Sequence, residues 1–521
     1  MLGQLPGPRA VLSVSLGLAR SGLVRPYRPD LLPQAGWNLL RYGAGPGFGP
    51  VLGALLRPDR PALVDDDGTL TFRELEARCG AVAAGLSAGL PPGETIGLLA
   101  RNSAGFYQAM VGAARGGLNV VYLNPGFRAG QVAEVMMARG IRVLVHDREF
   151  AAAVPPGVTG IPVTGPGEPS IEGMAAGRPP SGPGTRLIQR TRHTILTSGT
   201  TGTPKGVARA GGDLGSVLAL VAGLPGRARE TWLIAAPLFH AWGWLHAQLS
   251  MLFTTTIVLT REFDAERLLG LGQREHCQQI VAVPAMLQRI VDLPPRTRRR
   301  YRTPALRAVT VSGSALPAAL AAGFMDEFGD VLYSLYGSTE AGYVAVASPA
   351  DLRVAPGTAG RPLPLVDVQV RDGEGRPVPP GRTGMIWVSS HDAVAAGGGA
   401  VCTGDLGRLD RAGRLFIAGR ADDMIVTGGE NVYPAEVENV LEQHRDVAEA
   451  AVTGRPDPVY GQVVVAHVVL HERAAISPDA LRAWCRPRLA PFQVPRRVIL
   501  VGSLPRNATG KVVKRALTGP G

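Results

Sequence analysis

The chain reads as an α/β protein: a large N-terminal domain of mostly parallel sheets flanked by helices, a small β-rich subdomain, and a small α+β C-terminal domain. Three observations predict it. From residue 60 to about 335, short apolar strands alternate with helix-length segments. That βαβ rhythm puts parallel strands under covering helices. Around 361 to 418 the rhythm changes to short strands broken by glycine turns, at Asp372-Gly373 and Gly413. From Val432 a helix with Pro434 in its first turn and two apolar strands make a compact tail. The large domain is therefore expected over 1–420 and the tail domain over 421–521.

Taken in order, 10–19 is a short apolar stretch between Arg9 and Arg20. It lacks a convincing signal-peptide cleavage site, and is expected to dock on the body or touch a membrane surface weakly. Residues 61–64 and 69–70 flank the turn Asp65-Asp-Asp-Gly68 as a hairpin. Thr71 then caps a helix, with Glu74 three residues on as its capping-box partner. Phe72, Leu75, Cys79, Val82 and Leu86 share one face of that helix. Apolar strands follow at 95–99, 119–123 and 141–145. Residues 154–185, rich in Pro and Gly, read as a surface connection. Further strands are expected at 194–196, 232–236, 256–259, 280–283, 306–311 and 332–335, and in the tail at 448–452 and 463–470.

A net charge of +12 invites a nucleic-acid reading. The positive charges are dispersed, however, and the dense run Arg296-Thr-Arg-Arg-Arg-Tyr-Arg302 suits a solvated loop or a patch for cofactor phosphates. No nucleic-acid partner is expected. Cys79, Cys277, Cys402 and Cys485 have no paired spacing, which fits a reducing, cytoplasmic location rather than a disulfide framework or zinc site. No apolar run reaches the roughly 18 residues of a membrane span.

Lysine is nearly absent. Only Lys205, Lys511 and Lys514 occur, against 54 − 3 = 51 arginines. Lys suits a single phosphate oxygen as a compact point charge, where Arg is a planar fork. Lys205 closes Thr197-Ser198-Gly199-Thr200-Thr201-Gly202-Thr203-Pro204-Lys205-Gly206. Hydroxyls and unhindered amides in such a loop can wrap phosphate oxygens. It is not a Walker A loop, because Gly206 stands where Ser or Thr must follow the lysine. Lys511 follows Asn507-Ala-Thr-Gly510. Lys514 reads as a leftover of the drift to arginine.

Four more motifs follow in order: Tyr336-Gly337-Ser338-Thr339-Glu340, Thr403-Gly404-Asp405, Gly419-Arg420-Ala-Asp422-Asp423, and Gly428-Gly429-Glu430-Asn431-Val-Tyr433-Pro434. Together with the two lysine motifs, over residues 60 to 515, this set resembles the adenylate-forming superfamily of acyl-CoA synthetases, luciferases and adenylation domains. The resemblance implies an enzyme that uses ATP and Mg²⁺ to activate a carboxylic acid as an acyl-adenylate. A thiol, here CoA, then captures the acyl group. It implies that residues 197–206 hold the β- and γ-phosphates, that Thr339 contacts the α-phosphate, and that Glu340 helps hold Mg²⁺. Tyr336 would lie against adenine, Asp405 would accept the ribose hydroxyls, and Arg420 would reach the ribose or phosphates. Lys511 would sit at the bond being made, where a positioned cation stabilises developing charge. The tail domain would be mobile, with its hinge at Asp422, and would present Gly428-Gly429 to a thiol channel in its second pose. Singly, Asp405 and Asp423 also read as turn residues, Tyr336 as a core aromatic, and Glu340 as a helix-first-turn carboxylate.

Pro237-Leu-Phe-His240-Ala-Trp242-Gly243 falls where the superfamily places part of its acyl pocket, and holds no Asp for an amino-acid ammonium. An uncharged acid is therefore expected, a medium- or long-chain fatty acid first. His240 reads either as a residue that orients the carboxylate or as a satisfied core histidine. Trp242, Trp244, Gly313, Ala315 and Gly337 would suit an apolar tail, and Gly313 and Gly337 are counted with the cofactor-binding residues. The short 341–402 interval favours CoA over a carrier protein. Residues 389–402 are contracted relative to the superfamily and lack its aromatics, so the alternatives are an acyl-AMP ligase that loads a carrier protein and a degenerate, non-catalytic acyl or nucleotide binder.

Overall fold

The computed structural model describes residues 8–23, 29–43, 45–165, 169–177, 191–197, 205–210, 214–338, 341–390, 399–428, 430–472, 474–506 and 511–517. Two compact units divide the chain: Met1–Ala282 with Leu293–Val309, and Val283–Asp292 with Thr310–Gly521.

The first unit is built on parallel strands. One sheet runs Thr159–Pro162, Val143–His146, Thr95–Leu99, Asn119–Tyr122 and Arg192–Thr197, all parallel, and ends on the antiparallel Lys205–Ala210. In a second, Gln279–Ala282, Thr231–Ile234, Thr256–Leu259 and Pro61–Asp65 are parallel, and Gly68–Thr71 folds back antiparallel. Strands buried on both faces explain the uninterrupted apolar runs, since helices cover both sides. The helix Phe72–Gly89 starts where expected: Thr71 Oγ1 accepts from Glu74 N–H (3.2 Å), and Glu74 Oε2 accepts from Thr71 N–H (2.8 Å). Phe72, Leu75, Cys79, Val82 and Leu86 are all buried. Losing such a cap costs about 1 kcal/mol.

The described residues 154–165 and 169–177 hold two regular elements that their composition does not suggest. Thr159–Pro162 adds an edge strand beside Val143–His146, where Pro162 is tolerated because an edge leaves one side of its backbone unpaired. Ser170 then caps the short helix Ile171–Ala175, its Oγ accepting from Gly173 N–H at 2.9 Å.

The second unit is largely antiparallel. Leu332–Ser338, Gly342–Ala347 and Arg361–Pro362 pair in sequence. Asp367–Arg371, Gly384–Ser389, Val401–Leu409 and Leu415–Arg420 form a four-stranded meander. Ala341, Val344, Val368, Ile386, Val388 and Leu415 share a core, with Tyr336 packed against it. Strand pairing reaches into the contracted 389–402 stretch from both ends: Trp387 pairs with Cys402 and Val388 with Val401.

Further on, Val447–Asp457, Gly461–Leu470, Ile425–Thr427 and Glu430–Val432 form a sheet, with Arg497–Leu500 parallel to Gly461–Leu470. Its core is its own. Ile425, Val437, Leu441, Val452, Val468 and Leu481 are completely or nearly completely buried in one cluster. Among the described residues no helix is long and apolar enough to cross a membrane.

Candidate active site

Three predicted residues meet in the second unit. The Tyr336 hydroxyl donates to Asp405 Oδ2 at 2.6 Å, and Arg420 Nη1 lies 3.5 Å from Asp405 Oδ1. Arg420 also donates to Thr403 O (3.0 Å) and Asp422 Oδ1 (3.2 Å). The backbone explains how. Thr403 Oγ1 accepts from Asp405 N–H at 3.1 Å, which turns the Thr-Gly-Asp segment back on itself. Gly404 sits at φ +74°, and a Cβ there would press on the Arg420 guanidinium. The glycine therefore serves both a left-handed turn and a close approach. Asp405 and Arg420 are register partners across two antiparallel strands. Tyr336 arrives from Leu332–Ser338, where Gly337 faces Tyr343 so closely that a Cβ would strike the Gly342 carbonyl. Burial first, and the Asp405 charge second, push the Tyr336 phenol well above its ordinary range, so it is a proton donor at neutral pH.

Gly313, at φ +95°, also lies in this unit, next to Ser312, whose hydroxyl donates to Leu335 O at 2.9 Å. Gly428, at φ +59°, donates its N–H to Tyr460 O at 2.9 Å. Lys511 enters the short stretch that pairs Val512 with Arg506 across the Asn507–Gly510 connection. Lys514 is not a bystander. Its Nζ lies 2.6 Å from Glu438 Oε1, and Arg506 Nη2 lies 2.5 Å from Glu449 Oε1. Two ion pairs thus fasten both ends of the segment that carries Lys511.

The first unit holds Thr197, Lys205 and His240. Thr197 and Lys205 are register partners at the facing ends of two antiparallel strands. Ser198, Gly199, Thr200, Thr201, Gly202 and Thr203 lie outside the described residues, as do Thr339, Glu340 and Gly429. His240 occupies the N-cap of Ala241–Leu252. Its Nε2 is enclosed and makes no hydrogen bond, and burial lowers the imidazole to about 4. The ring is therefore neutral, with one enclosed nitrogen able to make a hydrogen bond.

Two supports of His240 carry no sequence signal. Asn102, itself buried, accepts from Leu238 N–H at 2.8 Å and donates to Ala236 O at 3.1 Å, gripping the turn before His240 from both sides. Tyr122, His193 and Trp244 form a buried relay: the Tyr122 hydroxyl is 2.7 Å from His193 Nδ1 and accepts from Trp244 Nε1 at 3.1 Å. It ties the strand before the loop to the helix after His240. Trp242 is likewise a core residue, its indole N–H donating to Ala282 O at 3.0 Å, so neither tryptophan reads as pocket lining.

Among the described residues no group of His, Cys, Asp or Glu could hold a metal ion. Glu340, the residue implied for Mg²⁺, lies outside them.

Parallel α/β sheets and a Gly-turned Asp bridged to Tyr and Arg fit one class, the adenylate-forming enzymes. The chain belongs to the AMP-binding enzyme family, which matches residues 54–397, and the AMP-binding enzyme C-terminal domain matches residues 436–511. It is 32% identical over 486 residues to the fatty acid–[acyl-carrier-protein] ligase ScoC of Streptomyces coeruleorubidus, covering 88% of this chain and 93% of that protein. It is 34% identical over 486 residues to the 2-succinylbenzoate–CoA ligase of Geobacillus kaustophilus, covering 89% and 96%. Among solved structures, the amide bond synthetase McbA of Marinactinospora thermotolerans superposes with a TM-score of 0.80 at 28% identity, covering 93% of this chain and 99% of that one.

Proposed function

We propose that the protein uses ATP to activate an uncharged carboxylic acid as its acyl-adenylate, releasing pyrophosphate, and then passes the acyl group to the thiol of CoA. The Tyr336–Asp405–Arg420 cluster carries the reading. A carboxylate can accept about four hydrogen bonds, which suits Asp405 to two vicinal ribose hydroxyls beside the one it takes from Tyr336. Arg420 supplies the adjacent positive charge. Lys511, on its doubly fastened segment, neutralises the carboxylate and α-phosphate that otherwise repel each other. His240, neutral and unpartnered at Nε2, orients the carboxylate by donating one hydrogen bond from that nitrogen. Residues 197–205 hold the leaving phosphates. Mg²⁺, held with the help of Glu340, would neutralise phosphate charge. Residues 421–521 act as the mobile domain, turning at Asp422. Four free cysteines suit a reducing cytoplasm.

A fatty acid is the first candidate, supported by the lack of an acidic residue in 237–243 and by the ligase of Streptomyces coeruleorubidus. That relative also favours a second reading, transfer to a carrier protein. The test is acid-dependent pyrophosphate release across fatty and aryl acids, with CoA, with a carrier protein, and with neither. Absence of pyrophosphate with every acid would defeat the proposal. Pyrophosphate followed by acylation of the carrier alone would establish the second reading.

A further inference from the structure

Two helices ahead of the family match show their polarity the wrong way round. The helix Leu32–Tyr42 buries Asn38, whose side-chain amide donates to Gln34 O at 2.8 Å within the same helix, while Leu32, Trp37, Leu39 and Leu40 are exposed, Leu40 at 73%. The helix Pro8–Ser21 packs one side so tightly on the helix Leu214–Gly223 that a Cβ at Gly17 would overlap Ala222. Its other side exposes Val11, Leu12 and Leu16, the last at 62%. Seven of the fourteen exposed large apolar side chains among the described residues thus fall between positions 11 and 40. Exposed apolar side chains scattered singly need no explanation, but this concentration does.

The charges choose the partner. Residues 1–57 hold Arg9, Arg20, Arg25, Arg28, Arg41 and Arg57 against Asp30 alone, so they carry 6 − 1 = +5 of the chain's net +12. A second copy of the same surface would set this excess against itself. An anionic surface is attracted to it, and exposed Leu and Trp beside Arg is the composition of a helix lying at a lipid interface.

We propose that these two helices seat the protein on an anionic lipid bilayer, apolar side chains entering the headgroup boundary and the net positive charge of residues 1–57 drawing the anionic lipids. The inference does not depend on which acid or acceptor the enzyme uses. The test is co-sedimentation of the full chain with vesicles of phosphatidylglycerol and phosphatidylcholine, against vesicles of phosphatidylcholine alone. The wild-type chain should partition onto the anionic vesicles and lose that partition as salt rises. Leu39→Glu with Leu40→Glu, and separately Leu12→Glu with Leu16→Glu, should each weaken it at least about tenfold with melting temperature unchanged. Failure to bind anionic vesicles, or binding that survives both double substitutions, would overturn the proposal. So would a solution dimer that Leu39→Glu with Leu40→Glu dissolves while vesicle binding is absent, because the face would then belong to a second copy.

Discussion

Replacing Lys514 tests whether the segment carrying Lys511 is positioned or merely present. Lys514 Nζ and Glu438 Oε1 are 2.6 Å apart, with side chains 26% and 17% exposed. Exposed ion pairs contribute about 0.2–1 kcal/mol, and breaking a fully buried one costs about 3–5 kcal/mol. This pair lies between, and Glu438 keeps its 2.7 Å bond from Val452 N–H when the lysine is gone. We therefore expect Lys514→Met to cost about 1–2 kcal/mol, or roughly 5- to 30-fold in the population of the fastened segment. The 2.5 Å Arg506–Glu449 contact at the other end limits the loss. Acid-dependent pyrophosphate release at saturating ATP should fall by that factor. Thioester formation from a supplied acyl-adenylate should be nearly unchanged, because Lys511 has no part in that step. Lys514→Arg restores the charge and should recover most of the rate. Equal loss in both half-reactions, or no loss in either, would refute the positioning argument.

Three further outcomes are expected. Tyr336→Phe removes a 2.6 Å hydrogen bond to a carboxylate; such bonds contribute about 1.5–3 kcal/mol, so AMP binding measured by calorimetry should weaken about tenfold or more, and unchanged affinity would reduce the contact to packing. Glu442 is raised to about 8 by burial, with Glu438 and Glu449 adding to it, from an ordinary 4.5. Between those values the unfolded chain ionises and the folded chain does not, so stability drains as pH rises from 4.5 to 8. Glu442→Gln keeps the acceptor for Ala450 N–H and should raise the melting temperature more at about pH 8 than at about pH 5; the reverse order would refute the assignment. Asp422→Pro should spare pyrophosphate release and impair thioester formation, and equal impairment of both would count against a hinge there.

What can be read from the sequence depends on how far each signal reaches along the chain. The Thr71–Glu74 box and the apolar face of the helix after it are local, and both form as expected. The strand at 95–99 is matched residue for residue, because its apolar run and its flanks are both local. Thr159–Pro162 is hidden because an edge strand takes its hydrogen bonds from a neighbour more than about ten residues away, in a stretch whose Pro and Gly read as loop. The site divides the same way. Tyr336, Asp405 and Arg420 are each marked by a motif, yet the Tyr336–Asp405 contact joins residues 69 positions apart and belongs to the fold. Asn102 and His193 have no motif at all. Lys514 has one beside it and reads as a leftover, since a lone charge says nothing about the carboxylate that will meet it.

The Lys514–Glu438 pair has a chemical corollary. A carboxylate 2.6 Å from the ammonium stands in the path of any acylating reagent that approaches this amine. A chain of 521 residues with only three lysines therefore offers amine-directed reagents very few side chains, and one of those is screened by its partner. Covalent labelling that would scatter over the surface of most proteins is confined here to a few positions, two of which, Lys511 and Lys514, lie on the segment on which adenylation is proposed to turn. Release of the Lys514–Glu438 pair would then register as a new adduct at Lys514, a direct report on whether that segment is fastened.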